Sequence, residues 1–200
     1  RGTSASNTST LMAGGKIPSY TTQTEEWSFS GVQPGDEASY SDYRGYPQAI
    51  TFHEDRLWLG GTTSQPDAIW SSKTSEYFNF DVGTAGDSDS IQMTINVGEF
   101  NNIRHLTANR DLQIFTTTSE LYIPSFADKG LTPTNAQIRR QTPFGASFVK
   151  PLPFDGATIY VQKTGKTIRE FLFSDKESAY VSTPLSLISS HLISNPTQIA

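Results

Sequence analysis

The sequence predicts an all-β protein, a partial β-propeller of four-stranded antiparallel blades with one short helix near the C-terminus. Three observations favour this fold class. The 200-residue chain has 15 Gly and 11 Pro and is rich in Ser and Thr, a composition that favours short strands and turns over long helices. Short apolar segments recur along the chain and are separated by tight turns. The pattern repeats about every 50 residues, a period that is typical of propeller blades.

The N-terminal region differs from the rest of the chain. Residues 1–24 are rich in Ser, Thr and Gly, and we predict an arm that is either flexible or ordered by a partner. The partial propeller is predicted over residues 25–200, and it opens with a strand at residues 25–30, where polar and aromatic residues alternate. A loop follows, and its aromatic residues form either an assembly surface or a loop packed on its own blade. The aromatic residues of this region are Trp27, Phe29, Tyr40, Tyr43 and Tyr46.

The blade pattern begins at Ala49. Each unit runs strand, tight turn, strand, turn and strand, and in the first two units a fourth strand follows. The predicted blades span residues 49–95, 103–141 and 148–173, with tight turns at Glu54-Asp55, Asn109-Arg110 and Asp155-Gly156. A four-stranded meander has two apolar faces that it cannot cover itself, so blades stack, and about four of them close a ring. The uncovered faces therefore need further chain, another subunit or packing that is not blade-like. A β-sandwich of about ten strands is the alternative with the same strand density.

After the third blade, residues 183–193 have the pattern of a short amphipathic helix. Thr183 is a suitable N-cap, and Pro184 fits the first helical position. Leu185, Ile188 and Leu192 then fall on one face. The sequence therefore predicts a helix here.

The composition excludes several classes of protein. The chain has no cysteine, which excludes disulfide scaffolds and thiolate metal sites and suits assembly in a reducing cytoplasm. The formal net charge of −5 is unlike the basic balance of a protein that nucleic acid wraps. No apolar run approaches the roughly 20 residues that span a bilayer, so we expect no membrane insertion.

Two acidic segments have residue types that suit a chemical site. Asp81, Asp87 and Asp89 lie in a Gly-containing loop, which is either a Ca²⁺ loop with alternate oxygen ligands or a solvated turn. The segment His53-Glu54-Asp55 resembles acid–base residues, but its carboxylates fall in a predicted hairpin turn, where acidic residues are common. No second His lies at metal-ligand spacing from His53.

The sequence favours a protein without enzyme activity. A glycoside hydrolase needs two carboxylates held across a cleft, and the sequence gives no sign that Glu99, Glu120 or Glu170 are paired in this way. The chain has no Gly-x-Ser-x-Gly elbow and no Gly-rich phosphate loop. We therefore expect no catalytic residue, no metal and no cofactor.

Arg139 and Arg140 are adjacent and form the most distinct basic motif of the chain. They either pair with neighbouring acids on the sheet surface or contact another subunit, because Arg is enriched at interfaces and pairs bidentately with carboxylates. We predict a subunit interface at these two residues and at the three tyrosines Tyr40, Tyr43 and Tyr46.

Several short motifs follow one another between Gly45 and Ile193. They are Gly45-Tyr46-Pro47, residues 50–62, Gln65-Pro66, Ile69-Trp70-Ser71-Ser72, Tyr77-Phe78-Asn79-Phe80, residues 131–135, Arg139-Arg140-Gln141-Thr142, Gly145 and residues 166–171. Their joint order and spacing resemble the tail tubular protein B, or nozzle, family of short-tailed bacteriophages.

The resemblance implies a structural protein of the virion tail that is assembled in the host cytoplasm. It implies a homo-oligomer, a hexameric ring that encloses the DNA exit channel. The implied partners are the tail adaptor protein and the tail fibre protein. DNA passes without specific binding, since phosphate contacts by Lys and Arg would hold DNA of any sequence. The alternatives are a receptor- or carbohydrate-binding propeller and a glycoside hydrolase built on a propeller.

Overall fold

The computed structural model describes residues 45–126 and 130–199, and the predicted arm, the strand at residues 25–30 and two of the three tyrosines lie outside this part of the chain. The described residues contain twelve strands and one short 3-10 turn at Ser190–Leu192. The strands are β1 (Ala49–His53), β2 (Arg56–Gly60), β3 (Ala68–Ser71), β4 (Gln92–Thr94), β5 (Ile103–Ala108), β6 (Leu112–Thr116), β7 (Glu120–Ile123), β8 (Arg139–Thr142), β9 (Leu152–Phe154), β10 (Ala157–Val161), β11 (Ile168–Ser174) and β12 (Ala179–Pro184).

These strands form three four-stranded antiparallel sheets, each of them a meander in chain order. The first sheet contains β1 to β4, the second β5 to β8 and the third β9 to β12. The prediction of an all-β protein with four-stranded antiparallel units is thereby confirmed. The third unit is larger than predicted, because β12 adds a fourth strand beyond Phe173.

Two-residue turns close the first hairpins of the first and third sheets. Asp155 and Gly156 have φ values of 48° and 78°, and Glu54 and Asp55 have values of 47° and 53°. Positive φ at both central residues defines the turn type that matches the twist of paired strands. Asp-Gly adopts it readily, whereas Glu54 and Asp55 are strained there because both carry a Cβ.

The predicted helix over residues 183–193 is wrong. The last two residues of β12 lie where that helix should begin, and they pair with β11 instead. The expected apolar face of the helix, Leu185, Ile188 and Leu192, is 52%, 92% and 75% exposed. A helix of this length is marginal in water unless it buries an apolar face. Pairing with β11 satisfies the backbone hydrogen-bonding groups of Thr183 and Pro184 without the burial of an apolar helix face.

A mainly aliphatic core that includes Trp58 joins the first sheet to the second. Trp58 and Ile69 of the first sheet belong to one buried cluster with Ile103 and Leu106 of β5. Gly60 allows close approach, because a Cβ at this position would lie 3.2 Å from both Ile103 Cγ2 and Leu106 Cδ1. The absence of a side chain on β2 thus lets β5 pack directly against it.

An aromatic core joins the second sheet to the third. The ring of Phe115 on β6 lies 5.1 Å from that of Tyr160 and 5.6 Å from that of Phe171. Tyr180 stacks on Phe171 with ring centroids 4.6 Å apart. Its hydroxyl donates a hydrogen bond of 2.7 Å to Asp111 Oδ2, which satisfies a buried polar group between the two sheets.

The two junctions differ in which strands approach each other most closely. At the first junction β1 and β2 approach β5, whereas at the second junction β8 approaches β12. Aliphatic residues, Trp58 and the close approach at Gly60 fill the first junction, and mainly aromatic rings fill the second. The three sheets therefore stack in chain order, with the second sheet between the other two.

Candidate functional site: an exposed sheet face

The third sheet has one face packed on the second sheet and the other face turned outward. Phe171 of β11 is buried against the second sheet, so its neighbours Glu170 and Leu172 lie on the outer face. Strand register adds further apolar side chains to that face. Phe154 and Leu172 are 65% and 42% exposed. The exposed and half-buried apolar residues of this outer face include Leu152, Phe154, Ile159, Leu172 and Val181, whereas Ala157 and Val161, which register places on the same face, are buried.

The outer face of the first sheet is partly covered by its own chain. Leu57, Leu59 and Trp70 form a buried cluster with Phe80, which lies in the long loop between β3 and β4. Ile50 and Phe52 of β1, on the same face, are 64% and 61% exposed. The loop therefore covers the middle of this face and leaves its edge strand accessible.

A buried arginine holds that loop in place. Arg56 is only 1% exposed, and its guanidinium donates to the carbonyl oxygens of Ser72 at 2.8 Å, Asp87 at 2.8 Å and Asp89 at 2.6 Å. Burial lowers the pKa of Arg56, and the nearby carboxylates of Glu54 and Asp89 oppose that shift. Backbone carbonyls thus stabilise the buried charge, and the charge in turn fixes the loop. This role was not predicted from the sequence, because an Arg that follows two acidic turn residues is expected to be exposed.

Lys73 forms ion pairs with two carboxylates of the acidic segment that was a candidate Ca²⁺ loop. Its ammonium lies 3.5 Å from Asp81 Oδ2 and 3.2 Å from Asp89 Oδ1. Asp89 Oδ2 also accepts hydrogen bonds from the backbone N–H groups of Gly86 and Thr84, and these contacts lower the pKa of Asp89. The loop supplies its own cation, which favours the interpretation as a turn.

In the segment His53-Glu54-Asp55, the contacts of His53 and Glu54 are structural. Glu54 Oε2 accepts a hydrogen bond of 2.6 Å from the Leu131 N–H, and His53 Nε2 lies 2.9 Å from Ser125 Oγ. Burial lowers the pKa of His53, although the carboxylates of Glu54 and Asp111 oppose the shift. These contacts tie the first hairpin to the second sheet and leave no carboxylate paired with another.

Glu120 is a fully buried carboxyl group, and its burial was not predicted from the sequence. It lies on β7 opposite Phe115 and is 0% exposed. Its Oε2 accepts hydrogen bonds from Thr142 Oγ1 at 2.5 Å and from the Phe144 N–H at 3.3 Å. Burial raises the pKa of Glu120, and these hydrogen bonds counteract part of the shift. Its position in an otherwise apolar strand is the signal that could have found it.

The three carboxylates considered for glycoside hydrolysis lie in different surroundings. Glu120 is buried between the second and third sheets, Glu99 pairs with Arg140, and Glu170 lies on the outer face of the third sheet. Among residues 45–126 and 130–199, no group of three or more His, Cys, Asp or Glu side chains is arranged to hold a metal ion. In the same residues, no helix is long and apolar enough to cross a membrane.

The residues predicted for a subunit interface have separate environments. Tyr46 is 58% exposed, and Arg139 is exposed on β8. Arg140 Nη2 lies 3.2 Å from Glu99 Oε2, an ion pair within the chain. Tyr40 and Tyr43 lie outside the described residues. The interface at these positions stays a prediction, and the apolar outer face of the third sheet is a further exposed surface that the sequence did not predict.

No protein-family model matches the chain, and no curated protein matches it.

Proposed function

We propose that the chain is a structural component of a bacteriophage tail, a nozzle-type protein whose copies form a ring around the DNA exit channel. The observation that carries the proposal is the apolar outer face of the third sheet, since such a face needs a further layer to cover it. In the proposed ring a neighbouring copy supplies that layer. The ring would connect the tail adaptor to the tail fibres.

We further propose that the three sheets are successive blades of a partial propeller. The repeat of about 50 residues supports this arrangement, as does the stacking of the sheets in chain order. The order of short motifs between Gly45 and Ile193 supports the tail assignment as a resemblance. The net charge of −5 is compatible with a conduit, because an acidic wall repels phosphates and does not hold the DNA.

The proposal is tested by the mass and shape of the native assembly. Analytical ultracentrifugation of the chain, followed by electron microscopy of the heaviest species, should give rings or short tubes. A single monomeric species across the whole concentration range, with no annular particles, would contradict the proposed function.

A further inference from the structure

Phe148 is an exposed aromatic residue on a rigid segment. Its side chain is 76% exposed, yet the residues before it are hydrogen-bonded to two sheets. The Ala146 N–H donates to Thr116 O of β6 at 2.8 Å, and the Ser147 N–H donates to Val161 O of β10 at 2.9 Å. A ring that is held in place and still left in solvent is suited to contact a ligand.

A β-bulge directs an arginine onto this ring. Ile103 pairs with Thr116 and His105 pairs with Phe115, so Arg104 is an extra residue in β5. Bulges change the direction of a side chain relative to its strand. The guanidinium carbon of Arg104 lies 3.5 Å from the centroid of the Phe148 ring. One face of the ring is thus covered by a cation, and its exposure leaves the other face to solvent.

The charge around Phe148 is positive and is not neutralised. The charged groups that act on His105, next to Arg104, are Arg104 and Lys150, and both lower its pKa in addition to the larger effect of burial. Neither Arg104 nor Lys150 forms an ion pair with a described residue, whereas Lys73, Arg110 and Arg140 all do. Arg104 Nε is also buried without a hydrogen-bond partner. An acidic chain with an unpaired basic cluster beside an exposed ring has a local affinity for anions.

We propose that Phe148, Arg104 and Lys150 form a binding site for a sugar unit that carries a carboxylate, such as a uronic acid of an acidic polysaccharide. The apolar face of the sugar ring packs on the free face of Phe148, which is flat and rigid. The sugar carboxylate accepts a hydrogen bond from the ammonium of Lys150, and the guanidinium of Arg104 behind the ring adds a second positive charge to the site. This site is separate from the apolar face of the third sheet, and it does not depend on the proposed function.

Charge decides between an acidic sugar and a nucleic acid. Nucleic acid carries a phosphate at every nucleotide, and its binding depends on neutralising several of them. A single uronic acid unit presents one apolar ring face and one carboxylate, so it needs only Phe148, the Arg104 charge behind the ring, and Lys150 two residues further along the chain.

The test is a titration of the whole 200-residue chain, labelled with ¹⁵N, with trigalacturonate. The neutral galactose trimer and trithymidylate serve as comparison ligands. We expect trigalacturonate to shift the amide signals of Arg104, Ser147 and Phe148, and the neutral trimer to shift them far less. Phe148→Ala and Lys150→Gln should each weaken binding by about tenfold. Phe148 is exposed, so its substitution leaves the fold intact.

Lys176→Gln is the matched control, because Lys176 lies in the turn between β11 and β12, beside the Arg110–Asp175 ion pair at the other end of β5. It should change the affinity by less than about twofold. The proposal is overturned if trigalacturonate does not bind, if the neutral trimer binds equally well, or if trithymidylate binds more tightly. Equal affinities of the Phe148→Ala variant and the native chain would overturn it as well.

Discussion

At the scale of single residues, Gly145 is the position where a side chain is least tolerable. It has φ +72°, and a Cβ built on it would overlap the carbonyl group of Thr117. The residue also accepts a backbone hydrogen bond of 2.8 Å from Lys163, so it lies where the second and third sheets meet. The obstacle to substitution is backbone, which cannot move as the end of a side chain can.

We predict that Gly145→Ala lowers the free energy of unfolding by about 3 kcal/mol or more, because the strain of a positive φ and the overlap with Thr117 add together. Urea denaturation followed by circular dichroism measures this. Gly156→Ala is the control, since Gly156 has φ +78° and no atom within 4 Å of its built Cβ. This variant should lower the free energy of unfolding only through the strain of a positive φ, by about 1–2 kcal/mol. Equal losses for the two variants would mean that the Thr117 contact has no effect.

The buried carboxyl of Glu120 makes stability depend on pH. Burial raises its pKa in the folded state, so the folded protein prefers the protonated form. The contribution to stability is complete below the ordinary pKa of a glutamate, 4.5, and is lost as the pH rises through the folded pKa. Glu120→Gln keeps the shape and an acceptor oxygen for Thr142, and it removes this loss.

We therefore expect the free energy of unfolding of Glu120→Gln, minus that of the native chain, to increase as the pH is raised from about 4.5. His53 and His105 act in the other direction, because burial lowers their pKa values and the stability they contribute is lost as the pH falls below about 6.5. They are present in both proteins, so the difference isolates Glu120. A difference that stays constant with pH would show that Glu120 has the same pKa in both states.

At the scale of elements, local hairpin signals could be predicted from the sequence more accurately than the packing around them. The Asp155-Gly156 turn and the strand β10 after it were predictable, because their signals are local. The third unit was predicted to begin at residue 148, but its first strand, β9, spans only Leu152–Phe154. The helix over residues 183–193 failed because its apolar spacing has meaning only beside a core, and none faces it. The role of Arg56 was likewise out of reach, since its partners are carbonyl oxygens of residues 16 to 33 positions away.

We predict that Arg56→Lys loosens the loop between β3 and β4. One ammonium cannot replace the two guanidinium nitrogens that donate to Ser72, Asp87 and Asp89, so buried carbonyls lose partners at a cost of about 2 kcal/mol or more. Hydrogen exchange should accelerate at the Ser90 N–H, which donates to Asp81 O across the loop. Arg110→Lys is the control, because its ion pair with Asp175 is exposed, and it should change stability by less than about 0.5 kcal/mol. Unchanged exchange at Ser90 in the Arg56→Lys variant would contradict this role.

At the scale of the whole molecule, the repeat predicted three like units but not how they pack. The first and second sheets approach most closely through β1, β2 and β5, whereas the second and third approach through β8 and β12. Which strands approach depends on the side chains that meet at each junction. Gly60 faces β5 at one junction, and Phe115 faces Tyr160 and Phe171 at the other. Those pairings join residues far apart in the chain, so no local pattern contains them. The apolar outer face of the third sheet has the same origin, since only strand register shows which residues share it.

The assembly proposal predicts that a charge on this outer face prevents ring formation. Leu172 lies there beside Glu170 and is 42% exposed, so Leu172→Glu should leave the fold of the monomer intact. Burying an unpaired carboxylate under a neighbouring copy is unfavourable, and the association constant should fall by tenfold or more for a cost of about 1.4 kcal/mol. Phe100→Glu is the control, because Phe100 is 71% exposed in the loop between β4 and β5 and belongs to a different surface. Sedimentation velocity should give monomers for Leu172→Glu and native assemblies for Phe100→Glu. Assembly of the Leu172→Glu variant at native concentrations would show that another surface joins the copies.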